Sequence, residues 1–158
     1  MSVIYLIGVL GAAEKGLPFG DFFALWSYAK IALSHPAADL YNFRRLHDAQ
    51  VALGMPPQVQ NPFPYPPTFL LMVWPLGFLS LYAAYALWIA TTLALYLLAT
   101  CTSAGGKAAM AFPALLAPAT TACFIAGQSG FLLAALLVGG LRLIPHRPVL
   151  GGILFGLI

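Results

Sequence analysis

The sequence predicts an all-α fold, a polytopic bundle of transmembrane helices. Hydrophobic residues make up 61% of the 158 residues and charged residues only 7%, whereas a soluble domain usually carries about 25% charged residues. The mean hydropathy is +0.91. Several apolar runs, of which residues 82–100 form the cleanest, approach the ~20 residues that a helix needs to cross a bilayer. A chain of this size cannot bury so much apolar surface within itself, so we expect lipid to surround it.

Charge and composition exclude several classes of protein. The net charge of +3 comes from seven dispersed basic residues, and a nucleic-acid partner would need a clustered basic face. Cys101 and Cys123 lie in or beside apolar runs and form no CxxC pair or zinc set. Gly105-Gly106-Lys107 lacks the rest of a Walker motif, and no histidine or carboxylate pair has metal-ligand spacing. We therefore expect no nucleic acid, no metal and no cofactor.

Both ends of the sequence lie in apolar runs. Residues 1–13 are predicted to be the last part of a first transmembrane helix, since they lack the basic region and cleavage site of a signal peptide. Residues 149–158 begin a further helix. We therefore expect an N-terminal fragment of a longer chain, in which residues 1–158 form a single but partial transmembrane domain.

Residues 14–65 are predicted to form a loop on the outer face of the membrane. They contain all four acids and two of the three histidines. Two interfacial amphipathic helices are predicted within this loop, from about residue 21 to 33 and from about 38 to 53. His35-Pro36 separates them, because a residue before proline disfavours the helical conformation.

Residues 66–158 are predicted to be transmembrane helices. The proline-rich residues 61–67 should be extended, and Pro66 and Pro67 suit the first turn of a helix over 68–79. A turn near Ser80 leads into the span 82–100. A polar loop, 102–107, follows.

The run 108–126 contains two prolines and precedes Gly127-Gln128-Ser129-Gly130, a further apolar run over 131–143, and a basic turn. Lys and Arg favour the cytoplasmic side. If residues 14–65 lie on the outer face and 108–126 cross the membrane, the basic turn at 142–147 falls on the outer face. This position conflicts with the cytoplasmic preference of Lys and Arg. We favour a re-entrant pair of half-helices hinged at Pro118, which is allowed where irregular backbone lines protein or water. A full span remains the alternative.

Two polar residues could carry chemistry in this setting. Asp21 lies at the membrane–water boundary, where a carboxylate can act as a general base toward a hydroxyl. Its alternative role is as the N-cap of the following helix. Gln128 lies between apolar runs and needs hydrogen-bond partners. Those partners are either a sugar hydroxyl or phosphate, or a neighbouring helix.

Two further residues are candidates for the walls of a substrate site. Tyr65, before Pro66-Pro67, offers a ring face and a hydroxyl, although the segment also suits a purely structural role. Arg44 has the fork geometry that matches a phosphate. Its alternative role is on a solvated face near lipid headgroups.

Short motifs in order along the chain carry a family resemblance. The first half contains Asp21-Phe22, Trp26, Pro36-Ala37-Ala38, Leu40-Tyr41, Ala49-Gln50, Phe63-x-Tyr65-Pro66-Pro67 and Pro75-Leu76. The second half contains Gly127-Gln128-Ser129-Gly130 and Arg147-Pro148-Val149-Leu150-x-Gly152. Together they resemble glycosyltransferase family 87, which is similar to polyprenyl-phosphate-mannose-dependent α-1,2-mannosyltransferases. Asn42 and Ser129 depart from this pattern, since the family often has Asp and Asn there.

The resemblance implies a GT-C-like enzyme of the plasma (inner) membrane. Such an enzyme transfers a hexose, here expected to be mannose, from a polyprenyl-phosphate sugar to a lipid or glycan acceptor, and inverts the anomeric centre. The resemblance places the catalytic aspartate at Asp21. From their side chains and positions, we expect Tyr65, Gln128 and Arg44 to be substrate-binding residues. Membrane lipids would surround the protein, and the fragment alone is expected to be inactive.

Two other functions compete with this one. A polytopic transporter or lipid-carrier flippase would use a broken helix at Pro118 and an intramembrane Gln128. Against it, no clean span carries an ionisable residue. A noncatalytic membrane assembly factor is the third possibility.

Overall fold

The computed structural model describes residues 20–101 and 117–158, and within these residues the protein is helical without strands. The chain divides into two compact units. Of the described residues, the first unit comprises 20–86 with 125–127, and the second comprises 87–101, 117–124 and 128–158. The predicted all-α class is confirmed over the described ranges, which contain seven α-helices and two 3₁₀-helices.

The first unit contains the segments that were predicted as a loop and as the next helix. Its elements are α1 (Asp21–Ala32), a 3₁₀-helix (Ala37–Tyr41), α2 (Phe43–Ala52), α3 (Pro67–Val73), a second 3₁₀-helix (Trp74–Phe78) and the start of α4 (Leu81–Cys101). The second unit contains the rest of α4, most of α5 (Pro118–Ala126), and all of α6 (Gly130–Leu143) and α7 (Pro148–Gly156).

Helix α1 begins and ends as predicted but is not amphipathic. Nine of its twelve residues are buried, because α2, α3 and both 3₁₀-helices all pack against it. A helix that is apolar almost all round suits the centre of a packed unit rather than a surface. The prediction of an amphipathic helix was therefore wrong for α1.

The predicted helix over residues 38–53 is two helices. The 3₁₀-helix ends at Tyr41, and Asn42 adopts an extended conformation and caps α2 by accepting a hydrogen bond from the Arg45 N–H at 3.2 Å. Asparagine is among the best N-cap residues. In α2, Leu46 and Gln50 are buried while the residues on the other side are exposed, so an amphipathic helix is confirmed here with a later start.

The proline-rich segment leads into α3 as predicted, since Pro67 is its first residue and Pro66 its N-cap. The helix tightens into the 3₁₀ turn at Trp74, immediately before Pro75. This turn packs closely on α1: a Cβ on Gly77 would lie 2.6 Å from the Ala29 carbonyl oxygen. The Trp26 Nε1–H also donates to the Leu79 carbonyl at 3.1 Å.

Helix α4 matches the predicted span. Residues 81–100 are the one segment in the described ranges that is long and apolar enough to cross a membrane. Helices α5, α6 and α7 are shorter, at 9, 14 and 9 residues. The polytopic arrangement therefore remains a prediction.

Helices α6 and α7 pack through glycines. A Cβ on Gly151 would lie 3.0 Å from the Gly140 carbonyl oxygen and 3.1 Å from Ile144. Close approach of two helix backbones is the usual reason for small residues at such a crossing.

Some of the predicted segments lie outside the described residues. These are the helix at 1–13, the start of the loop at 14–19, the polar loop at 102–107 and the run 108–116.

Candidate active site

Asp21 is the first residue of α1 and is exposed. The N-cap position belongs to Gly20, whose φ of 52° lies in the region that glycine enters without steric cost. The alternative in which Asp21 is the N-cap is therefore wrong. A carboxylate in the first turn is nevertheless favoured by the helix dipole, so Asp21 is an exposed anion at the start of a buried helix.

Tyr28 lies on the same face of α1 as Asp21, two turns later. Its side chain is 3% exposed, and its hydroxyl donates to the Pro62 carbonyl at 2.7 Å and lies 3.3 Å from that of Asn61. Burial raises the pKa of Tyr28 above its ordinary value, and the nearby Tyr65 and Asp21 charges add to this effect. Tyr28 therefore stays protonated and holds the residues before Phe63 against α1.

Five aromatic residues pack around this contact, and we call them the aromatic cluster. Tyr28 contacts Phe63 edge to face with 5.0 Å between ring centroids, and Tyr41 contacts Phe63 at 5.2 Å. Tyr65 stacks on Phe69 at 4.0 Å. Such pairs contribute about 0.5–1.5 kcal/mol each beyond the area they bury. The cluster consists of Tyr28, Tyr41, Phe63, Tyr65 and Phe69.

Tyr65 is held by this cluster at both its ring and its backbone. Its carbonyl accepts a hydrogen bond from the Tyr41 hydroxyl at 3.0 Å, and its ring lies 6.5 Å from that of Tyr28. The side chain remains half-buried. A fixed, half-buried ring is compatible with the wall of a substrate groove, and this role of Tyr65 stays a prediction.

A buried polar contact joins α1 to α2 behind the cluster. The Gln50 side-chain amide donates to Ser27 Oγ at 3.0 Å, and that hydroxyl donates to the Ala24 carbonyl at 2.6 Å. Both side chains are fully buried. The Gln50 Oε1 atom has no hydrogen-bond partner among the described residues. This contact fixes the position of α2 relative to the helix that carries Asp21.

The glycine of the Gly-Gln motif packs against the residue after Asp21. Gly127 has a φ of 62°, and a Cβ there would lie 2.5 Å from the Phe22 Cβ. Both residues belong to the first unit. The backbone at 127 can approach α1 so closely only because the residue is glycine.

The structure places the two other predicted residues differently. Gln128 is half-buried between α5 and α6, in the second unit. Arg44 is exposed on α2, on the side away from Leu46 and Gln50. An ion pair on this surface joins Arg45 Nη1 to Asp39 Oδ1, at 2.6 Å.

Sequence reasoning did not identify Tyr28, Gln50 or the aromatic cluster as parts of this region. The seven-residue spacing from Asp21 to Tyr28 was a usable signal, because it places both on one helix face. The contacts to Phe63 and Pro62 connect positions more than thirty residues apart, which spacing alone does not reveal. No group of three metal-ligating side chains occurs within 20–101 and 117–158.

Comparison with known proteins identifies one family. The family model of glycosyltransferase family 87 matches residues 63–158, which is more than half of the chain. The match begins at Phe63, in the centre of the aromatic cluster. No curated protein and no solved structure matches the chain.

Proposed function

Because the chain belongs to glycosyltransferase family 87, whose members are membrane enzymes that transfer a sugar from a donor to an acceptor, we propose a specific reaction for it. In this proposal the protein is a GT-C-like, multi-pass enzyme of the inner membrane, with residues 14–65 on the outer face. The donor is a polyprenyl-phosphate hexose, with mannose as the sugar, and the acceptor is a lipid or a glycan.

The proposed reaction is a single displacement that inverts the anomeric carbon. A hydroxyl of the acceptor attacks that carbon, the carbon–oxygen bond to the phosphate breaks, and the carrier leaves as polyprenyl phosphate. Asp21 accepts the proton of the attacking hydroxyl as general base. A positioned base contributes about 10²–10⁴-fold to such a step.

The observation that supports this role most strongly is the position of Asp21. It is an exposed carboxylate at the first turn of a helix that is otherwise packed on nearly every side. That helix holds the segment where the family match begins, through Tyr28 and the Pro62 carbonyl. A base on a rigid element keeps its geometry better than one on a loop.

Tyr65, Gln128 and Arg44 have proposed roles in binding. The Tyr65 ring forms a groove wall, and the Gln128 amide hydrogen-bonds a sugar hydroxyl. Arg44 neutralises phosphate charge. This electrostatic stabilisation increases as negative charge develops on the departing carrier. A transporter would also use the short helix that begins at Pro118, but family membership argues for transfer chemistry instead.

The test compares wild type and Asp21→Asn in the full-length gene product, assayed in membranes. Transfer of labelled mannose from a polyprenyl-phosphate donor is measured. We expect Asp21→Asn to lose about 10²–10⁴-fold in rate, with unchanged expression and thermal unfolding. Asp48→Asn is the matched control, because Asp48 is an exposed acid on α2.

Each outcome has a clear reading. Equal transfer by wild type and Asp21→Asn would reject Asp21 as the base. Transfer that is absent for every polyprenyl-phosphate sugar, but present with another donor, would reject the proposed donor. Equal losses in Asp21→Asn and Asp48→Asn would indicate a general electrostatic effect rather than proton transfer.

A further inference from the structure

The second unit contains an open groove between its helices. The cavity has a volume of about 540 Å³, within the range of about 300–1,000 Å³ that is usual for small-molecule sites. Helices α4, α6 and α7 all contribute to its walls. Most of the lining is apolar, and residues that define it include Leu95, Leu98, Leu132, Leu136, Gly139 and Leu154.

The groove follows one stripe along α6. Leu132, Leu136, Gly139 and Leu143 are spaced four, three and four residues apart, which places them on one helix face. The stripe from Leu132 to Leu143 is about 16 Å long. Gly139 leaves the middle of this stripe without a side chain. The length and apolar character suit a hydrocarbon chain.

One end of the groove is basic. Arg142, in the last turn of α6, and His146, in the turn after that helix, both line it. The Arg142 Nη1–H donates to the Ala99 carbonyl at 3.3 Å, which holds the guanidinium beside the groove. Arg147 follows in the same turn but is not part of the lining.

No acidic residue of the second unit balances the guanidinium charge of Arg142. All four acids of the chain lie between residues 14 and 48, so residues 49–158 contain no Asp or Glu. A guanidinium matches phosphate oxygens with two parallel hydrogen bonds. The basic end is therefore complementary to an anion that comes from outside this unit.

We propose that this groove binds one anionic glycerophospholipid of the bilayer. An acyl chain lies along the α6 stripe, and the phosphate contacts Arg142 and His146. Such lipids are the abundant molecules of a membrane that join a phosphate to a hydrocarbon chain of this length. The proposal rests on the second unit alone and is independent of the role of Asp21.

The experiment uses the full-length gene product reconstituted in vesicles of equal parts phosphatidylcholine and phosphatidylglycerol. Trace lipid of either headgroup carries a photoactivatable diazirine in its acyl chain, and labelled peptides are identified by mass spectrometry. We expect the phosphatidylglycerol probe to label segments 95–99 and 132–143 in preference to the phosphatidylcholine probe. Arg142→Gln should lower this labelling about tenfold, the loss expected for one charge-assisted contact.

Two matched pairs of variants separate the site from general effects. Arg147→Gln removes a charge from the same turn outside the groove and should retain labelling. Gly139→Leu fills the stripe and should abolish labelling. Gly139→Ala should retain it, because a Cβ there meets its nearest neighbour, Leu154, at an ordinary 3.4 Å. If Arg142→Gln does not fold, the Gly139→Leu and Gly139→Ala variants still test whether the groove binds the lipid.

Four results would overturn the proposal. Equal labelling by the two headgroups would remove the role of charge, and equal losses in Arg142→Gln and Arg147→Gln would indicate only surface attraction. Displacement of the probe by polyprenyl phosphate at lower concentration than by phosphatidylglycerol would assign the groove to the carrier. Absence of labelling in a folded wild type would mean that protein covers the groove.

Discussion

At the scale of single residues, the region around Asp21 depends on a few polar atoms placed inside an apolar unit. Tyr28 is the clearest case, because its side chain is almost fully buried and its hydroxyl donates to the Pro62 backbone carbonyl. Proline has no backbone N–H, and four of the six residues 62–67 are proline, so this segment is held mainly through its carbonyls and rings. Tyr28 and Tyr41 supply both kinds of contact.

Tyr28→Phe should therefore destabilise the protein while keeping its core filled. The Pro62 carbonyl would lose its donor, at a cost of about 1–3 kcal/mol, and the midpoint of thermal unfolding should fall. Tyr82→Phe is the control, because Tyr82 is a largely exposed tyrosine. Equal midpoints for wild type and Tyr28→Phe would contradict the assigned role of the hydroxyl.

The same tyrosine predicts a change of stability with pH. Its pKa is raised in the folded protein, so its contribution to stability is complete below the ordinary tyrosine pKa and is lost as the pH rises toward the higher folded value. Unfolding followed from neutral to strongly alkaline pH should show a steeper alkaline loss in wild type than in Tyr28→Phe. Parallel curves would argue against a buried, protonated Tyr28.

At the scale of elements, the sequence predicted helices better than it predicted their surroundings. Residues 82–100 were assigned within a residue or two, because an uninterrupted apolar run has one interpretation. The break at Asn42 was missed, since the position was considered only as a departure from a family pattern and not as a cap. The burial of α1 was missed because it follows from contacts with distant segments, which a helical period does not encode.

The capping role of Asn42 can be measured directly. Asn42→Ala should destabilise α2 by about 1 kcal/mol, visible as faster amide hydrogen exchange in residues 43–46. Asn42→Asp keeps the acceptor and adds a charge that the helix dipole favours, so it should exchange no faster than wild type. Faster exchange in Asn42→Asp would show that the cap is not what orders this turn.

The crossing of α6 and α7 gives a second test at this scale. Gly151→Leu should push the two helices apart, because even a Cβ would lie 3.0 Å from the Gly140 carbonyl oxygen. Gly152→Leu is the matched control, since no atom lies within 4 Å of a Cβ there. We expect a lower midpoint of thermal unfolding for Gly151→Leu only. Similar midpoints for both variants would reject the close crossing.

At the scale of the whole molecule, the length of α5 bears on the path of the chain through the membrane. Helix α5 is nine residues long, about 14 Å, which is too short to cross a hydrocarbon core of about 30 Å. It begins at Pro118, where the sequence predicted a hinge. These facts agree with a half-helix, while its partner segment lies in the residues outside the described ranges.

Accessibility of single cysteines tests the re-entrant path. In a background with Cys101→Ala and Cys123→Ala, Ser129→Cys should react with a membrane-impermeant maleimide added from the outer face. Ser80→Cys should react only after the cytoplasmic face is opened, because it marks the predicted inner turn. Reaction of Ser129→Cys from the cytoplasmic side alone would show that residues 108–126 cross completely.

The close approach of Gly127 to Phe22 also bears on how the protein is synthesised. The first unit is not continuous in sequence, because residues 125–127 complete it. During translation, α1 ends at Ala32 and 95 further residues are added by the time Gly127 has been made, and contacts of such separation form slowly. An apolar helix that waits in this way exposes surface that invites wrong partners. The contact between Gly127 and Phe22 is therefore among the last contacts of the first unit to form during synthesis.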